Sequence, residues 1–151
     1  MRLAEFLGRA RVKLPEGIYF HPIFVHFPQA LFPVAFASLV LYLVTGNDLF
    51  EKGAYLMATF GLIASPVTMI TGYLDWKIRY KGYMTSVFKI KIVTGFVLIG
   101  LSLCALLVRA MDPGVAQLPM SGLGWLRAGL LAGCVGACVV EGHYGGKLVF
   151  H

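Results

Sequence analysis

Composition, hydropathy and the spacing of the apolar residues together point to an all-helical integral membrane bundle of four spans. Of 151 residues, 58% are apolar and only 13% are charged, where a soluble domain carries about a quarter. Mean hydropathy is +0.78. The apolar residues also fall into four stretches, each near the roughly 20 residues that a helix needs to cross a bilayer. This balance excludes a disordered chain and points to lipid as the solvent.

The expected spans are about 22–45, 53–74, 87–109 and 123–144, forming one domain over 21–151 behind a segment 1–20. In that segment Leu3, Phe6, Leu7 and Ala10 recur at helical spacing against Arg2, Glu5, Arg9 and Arg11, the pattern of an amphipathic helix on a membrane face. It lacks the basic, apolar, small-residue order of a cleavable signal, so retention is expected. The first span opens with Pro22, which suits a first turn, and contains Pro28 and Pro33, each of which removes a backbone donor and favours a kink. Such helices line a functional path, or neighbouring helices satisfy the freed carbonyls; packing is the favoured reading.

Gly46-Asn47-Asp48 marks a turn, and the second span ends at Asp75-Trp76. Lys77-Ile78-Arg79-Tyr80-Lys81-Gly82 then reads as a basic, aromatic loop. Lys89 and Lys91 lie in the first turns of the third span, where both can snorkel to headgroups, and Arg109 ends it. Asp112-Pro113-Gly114 starts the next loop. The fourth span is interrupted near its entrance by Arg127, and Gly129 and Gly133 have the spacing of close helix packing. Cys134 and Cys138 share a face of it and are read as small packing residues before a soft-metal site. Cys104 also lies in an apolar run, so a disulfide framework is not expected.

Four crossings place both termini on one side of the membrane. That side holds Arg2, Arg9, Arg11, Lys13, Lys77, Arg79, Lys81, Lys89, Lys91 and Lys147, ten of the 13 basic residues. The rule that positive loops stay inside assigns it to the cytoplasm. The net charge of +6 is then a matter of topology and anionic lipid, not of nucleic acid.

Threading the spans brings scattered polar residues to one level. His21 and His26 begin the first helix, Asp75 and Trp76 end the second, Lys89 and Lys91 begin the third, and Glu141 and His143 end the fourth. Ionisable residues at membrane depth are costly and mark function more often than those on a soluble surface. Two histidines on facing helices are what a b-type haem requires, and no Cys-x-x-Cys-His motif for covalent haem is present. His26 and His143 are the expected axial pair. His21 and His26 sit about 140° apart around a helix and cannot share one iron. Lys77, Arg79 and Lys81 would meet the haem propionates, although as topology signals they need no cofactor. His21 and His151 are further candidate cofactor-binding residues, although His21 could equally cap its helix and His151 could be a solvated end. Asp75 is expected to pair with Lys89, Lys91 or Arg79; Glu141 either pairs likewise or carries a proton. Trp76, Tyr73, Tyr80 and Tyr83 read first as an interfacial aromatic belt.

The stretch His21-Pro22-Ile23-Phe24-Val25-His26-Phe27-Pro28-Gln29-Ala30-Leu31, the Gly72-Tyr73-Leu74-Asp75 that closes the second helix, and Gly145-Gly146-Lys147-Leu148-Val149-Phe150-His151 at the end resemble the domain of unknown function numbered 2231, a group of small four-helix bacterial membrane proteins. The resemblance covers the chain from His21. It implies a bacterial inner-membrane, multi-pass protein, and it singles out His21, His26, Asp75 and His151 as family-type polar residues, with His143 extra. Where relatives of that pattern place a histidine near the entrance of the third helix, this chain has Lys89 and Lys91.

The leading functional expectation is a haem b-binding electron-transfer subunit, passing electrons between a partner protein and quinone or another cofactor. It would be no enzyme on its own but part of an oxidoreductase complex. The first alternative is a non-catalytic accessory or assembly subunit of a larger membrane complex. The second is a metal-handling or transport protein, disfavoured by small size and the lack of an inverted repeat.

Overall fold

The computed structural model describes residues 20–149; residues 1–19, with the expected amphipathic segment, and residues 150–151, with His151, lie outside the described residues. Four long helices follow one another: α1 (Phe20–Thr45), α2 (Asp48–Arg79), α3 (Ser86–Met111) and α4 (Gly122–Val149), with a short 3-10 turn (Pro113–Ala116) between α3 and α4. No strand occurs among the described residues. All four helices are long and apolar enough to span a membrane. They pack as a ring in chain order, α1 against α2 and α3 against α4 most extensively, closed by α2 with α3 and α1 with α4.

The helices are longer than the apolar stretches, most of all α2. It begins at Asp48, where the Asn47 side chain accepts the Leu49 N–H at 3.0 Å as an N-cap. Gly46, at φ +67°, ends α1 in the left-handed region that a helix stop favours. At its other end α2 runs on through Lys77 and Arg79, so the first half of the expected basic loop is the last helical turn and only Tyr80, Lys81 and Gly82 remain as turn. Cations in the last helical turn complement the free carbonyls. The Tyr80 and Gly82 N–H groups both close on the Trp76 carbonyl.

Lipid tails are as apolar as the helix surfaces, so packing, not exclusion of water, holds membrane helices together. Small residues therefore set the contacts. Ala54, Ala58, Gly61, Ser65 and Thr68 form the buried stripe of α2, and against it lie Phe32, Ala35, Leu39 and Tyr42 of α1, all buried. A Cβ at Gly61 would stand 2.9 Å from the Phe32 ring; only glycine lets that ring in. On α4, Cys134 and Cys138 join Phe32 and Leu98 in a core cluster, in keeping with packing residues. Gly133 faces Leu101, whereas a Cβ at Gly129 would meet nothing within 4 Å, so the expected glycine pair contributes one close approach inside this chain. The outer faces carry exposed Phe27, Val44, Ile63, Phe96 and Val139, the surface a bilayer would cover.

Candidate functional site

The first turns of α1 are held to α2 by two reciprocal bonds. Pro28 has no N–H, which leaves the Phe24 carbonyl one turn earlier without its helical donor. The Thr68 hydroxyl of α2 donates to that carbonyl at 3.1 Å, sharing its proton with Ala64 O of its own helix at 3.0 Å. In return His21 Nδ1 donates to the Thr68 carbonyl at 3.1 Å. A carbonyl only accepts, so Nδ1 carries the proton and Nε2 of the neutral ring is left as an acceptor. Backbone carbonyls fix ligating histidines in this manner. The freed carbonyl is thus satisfied by packing, and α1 continues unbroken through Pro28 and Pro33.

Beside this clasp, in the half of the bundle holding the starts of α1 and α3 and the ends of α2 and α4, lies a cavity of about 660 Å³ to which all four helices contribute. His21, His26, Asp75, Trp76, Arg79, Lys91 and Glu141 all line it, so most of the polar level expected from threading the spans shares one space. Its remaining wall is mainly apolar, with Val25, Met69, Ile92 and Leu98. Phe96 and Ile70 both line the cavity and are over half exposed on the outer surface. The cavity therefore reaches the lipid-facing side between α2 and α3.

Other expected residues lie elsewhere. Lys77, Lys81 and Lys89 are exposed and outside the cavity lining; the Lys77 ammonium sits 5.7 Å from the Tyr73 ring centre. His143 is exposed, outside the lining, and packs edge-on against Tyr144 with ring centres 5.3 Å apart. His26 and His143 therefore do not face each other across the cavity, contrary to the expected axial pair: His143 falls on the outer side of α4. Among the described residues no group of three or more His, Cys, Asp or Glu side chains gathers as a metal site. The aromatic residues at the α2–α3 end form a contiguous cluster, Tyr73 on Trp76 and Tyr80 edge-on to Phe88, with the Trp76 indole N–H bound to the Tyr83 carbonyl at 2.9 Å.

Lys91 pairs with Glu141 of α4, not with Asp75. The two approach only to 3.9 Å, with each side chain about one-seventh exposed. That is an ion pair beyond hydrogen-bond reach. Glu141 Oε1 is buried and has no hydrogen-bond partner among the described residues. Two glycines make room for the polar side chains here. A Cβ at Gly72 would stand 3.0 Å from the His21 ring and at Gly142 3.3 Å from Gln29 Oε1, whereas at Gly145 it would meet Lys91 Nζ only at an ordinary contact distance of 3.6 Å. Gln29 in turn donates to the Cys138 carbonyl at 3.3 Å. Gln29, Thr68 and the glycine seats carried no polar-cluster signal in the sequence, because their roles exist only across helix contacts.

A second polar centre occupies the opposite end of the bundle. Glu51 of α2, 3% exposed, accepts from Arg109 Nε of α3 at 2.8 Å and from Arg127 of α4 at 2.9 Å; Arg127 is 2% exposed. Arg109 also lies over the Tyr55 ring at 5.6 Å. Arg127 is thus no mere interruption of the fourth span but the arm by which α4 reaches Glu51 across the ring. The signal available in the sequence was the equal depth of one acid and two bases at that side.

No solved structure matches the chain. An uncharacterised protein of the archaeon Archaeoglobus fulgidus is 31% identical over 94 residues, covering 62% of this chain and 72% of its own length. The model of the family described as predicted membrane protein (DUF2231) matches residues 17–151, almost the whole chain and all four spans. The chain is a multi-pass membrane protein of the DUF2231 family.

Proposed function

We propose that this protein is an electron-transfer subunit of the cytoplasmic membrane, a bacterial inner membrane in the setting the family resemblance implies, with both termini inside and its redox group in the four-helix cavity. The observation that carries the reading is the cavity itself, an apolar space open to lipid with a fixed imidazole acceptor and a loosely joined ion pair in its wall. Quinone fits that combination. Its ring matches the apolar and aromatic lining, its tail can pass outward beside Phe96, and its oxygens find His26 and Lys91 and, once reduced to hydroxyls, the His21 acceptor. Electrons would pass on to another membrane or electron-transfer subunit of an oxidoreductase complex.

Haem b is the second reading, favoured by the fixed ring of His21, whose Nε2 makes no hydrogen bond among the described residues. The donor set fits only in part. A bis-imidazole site needs rings from facing helices, and the two histidines of the cavity both come from α1. His21 would hold such a group from one side, with Arg79 near its carboxylates; bound haem would supply one-electron redox chemistry. The accessory-subunit reading draws on an apolar groove between α1 and α4, lined by Phe36, Leu39, Trp125 and Gly129, where another membrane helix could lie.

The deciding experiment is solvent extraction of the protein purified in mild detergent, with oxidised and reduced absorption spectra of the same sample. Quinone in near-stoichiometric amount, lost on His21→Ala, supports the first reading. An intense redox-sensitive visible band lost in that variant supports haem b. A folded protein that yields neither, and gains neither when each is supplied, overturns both.

A further inference from the structure

Lys91 and Glu141 face each other across the cavity wall at 3.9 Å with no hydrogen bond between them, and Glu141 Oε1 has no hydrogen-bond partner among the described residues. A carboxylate and an ammonium at membrane depth each lose strong hydration, so a gap between them is expensive unless something polar fills it. The atom that fills it must donate to the carboxylate and accept from the ammonium. A hydroxyl does both. A ketone oxygen only accepts, and beside Glu141 it would set two acceptors against each other. Another acceptor of the cavity, His21 Nε2, asks the ligand for a donor as well.

We infer that Lys91 and Glu141 form the headgroup anchor of the cavity and that the ligand class it takes is a hydroxyl-bearing aromatic amphiphile, a quinol in preference to the oxidised quinone. This rests on the reading of the cavity as a quinone-class site and adds which redox form it holds. The anchor binds and selects; the electron acceptor belongs to a partner. Trp76, in the cavity lining, provides an optical report on occupancy.

The test uses the full chain in detergent, carrying Trp125→Phe so that Trp76 is the sole tryptophan, since the sequence has two. Decylubiquinol, kept reduced, and decylubiquinone are titrated separately, and the dissociation constant is read from the midpoint of Trp76 quenching. The quinol is expected to bind about tenfold more tightly, the scale of one hydrogen bond exchanged for a repulsive contact. Glu141→Gln supplies an amide donor and should erase or reverse the preference, Lys91→Met should weaken the quinol, and Lys89→Met, outside the lining, should change neither. Glu141→Asp, which keeps the charge, is expected to retain a reduced preference and guards against loss of fold in the amide variant. Equal affinity for both forms, unchanged in Glu141→Gln, overturns the anchor while leaving a quinone-class cavity standing. Binding of neither form by the folded protein overturns the anchor and the cavity reading together.

Discussion

Glu51 shows how a single side chain can organise one end of a membrane bundle. Its two oxygens receive guanidinium bonds from α3 and α4, so one acid on α2 neutralises part of the charge of two bases that lipid would otherwise have to tolerate. Removing the acid leaves two buried or half-buried cations facing each other. Glu51→Ala is expected to destabilise the protein by about 3 kcal/mol or more, the cost of stranding a buried charge. Unfolding in micelles, by heat or by denaturing detergent, measures it. Adding Arg127→Met to that variant should recover part of the loss, because the second change removes the stranded cation. Had the pair been a surface ion pair, the effect would stay below about 1 kcal/mol. The same residues were visible in the sequence only as three charges on the less basic side. Nothing in their spacing says that Arg127 is turned inward, since that depends on where α2 and α3 pass α4.

Between α1 and α2, element structure and chemistry meet at Pro28. The proline opens the helix ladder and the Thr68 hydroxyl closes it from the neighbouring helix, which pins α1 where His21 reaches the Thr68 carbonyl. Thr68→Val should cost about 1 kcal/mol. In a Pro28→Ala background the alanine N–H serves the Phe24 carbonyl, so the same substitution should cost distinctly less. A double-mutant cycle read by unfolding gives the coupling; additive effects would mean that the Thr68 bond matters only to its own helix. The prolines themselves were legible, as was the expectation that neighbours satisfy the freed carbonyl. The donor was not, because Phe24 and Thr68 are 44 positions apart and meet only through the small-residue stripe of α2. The extension of α2 through Lys77 and Arg79 has a similar origin. Hydropathy ends where charges begin, but a helix ends where its backbone bonds do.

For the whole molecule, the distribution of basic residues predicts that both termini and the cavity end of the bundle face the cytoplasm. Alkaline phosphatase fused after Gln117 should be active in a bacterial host, and the same enzyme fused after His151 inactive. The opposite pattern would reverse the orientation and place the cavity on the outer side. Ten of the 13 basic residues on one side carry this expectation from the sequence. The clustering of polar residues at one level was equally legible, because four spans of known direction leave little freedom in depth.

Depth was legible from residue order alone: four crossings, their succession, and the gathering of His21, His26, Asp75, Lys91 and Glu141 at one end. Hydropathy and length fix where along the membrane normal a residue lies. They do not fix how each helix is rotated about its axis, and that rotation decides the rest. It turned His143 outward against Tyr144 while keeping Glu141, two residues earlier, at the cavity. It set Lys91 against Glu141 instead of Asp75, and it brought Arg127 to Glu51. Those choices follow from side chains such as Phe32 fitting against Gly61. A contact of that kind has no periodicity, and it exists only once both helices are packed.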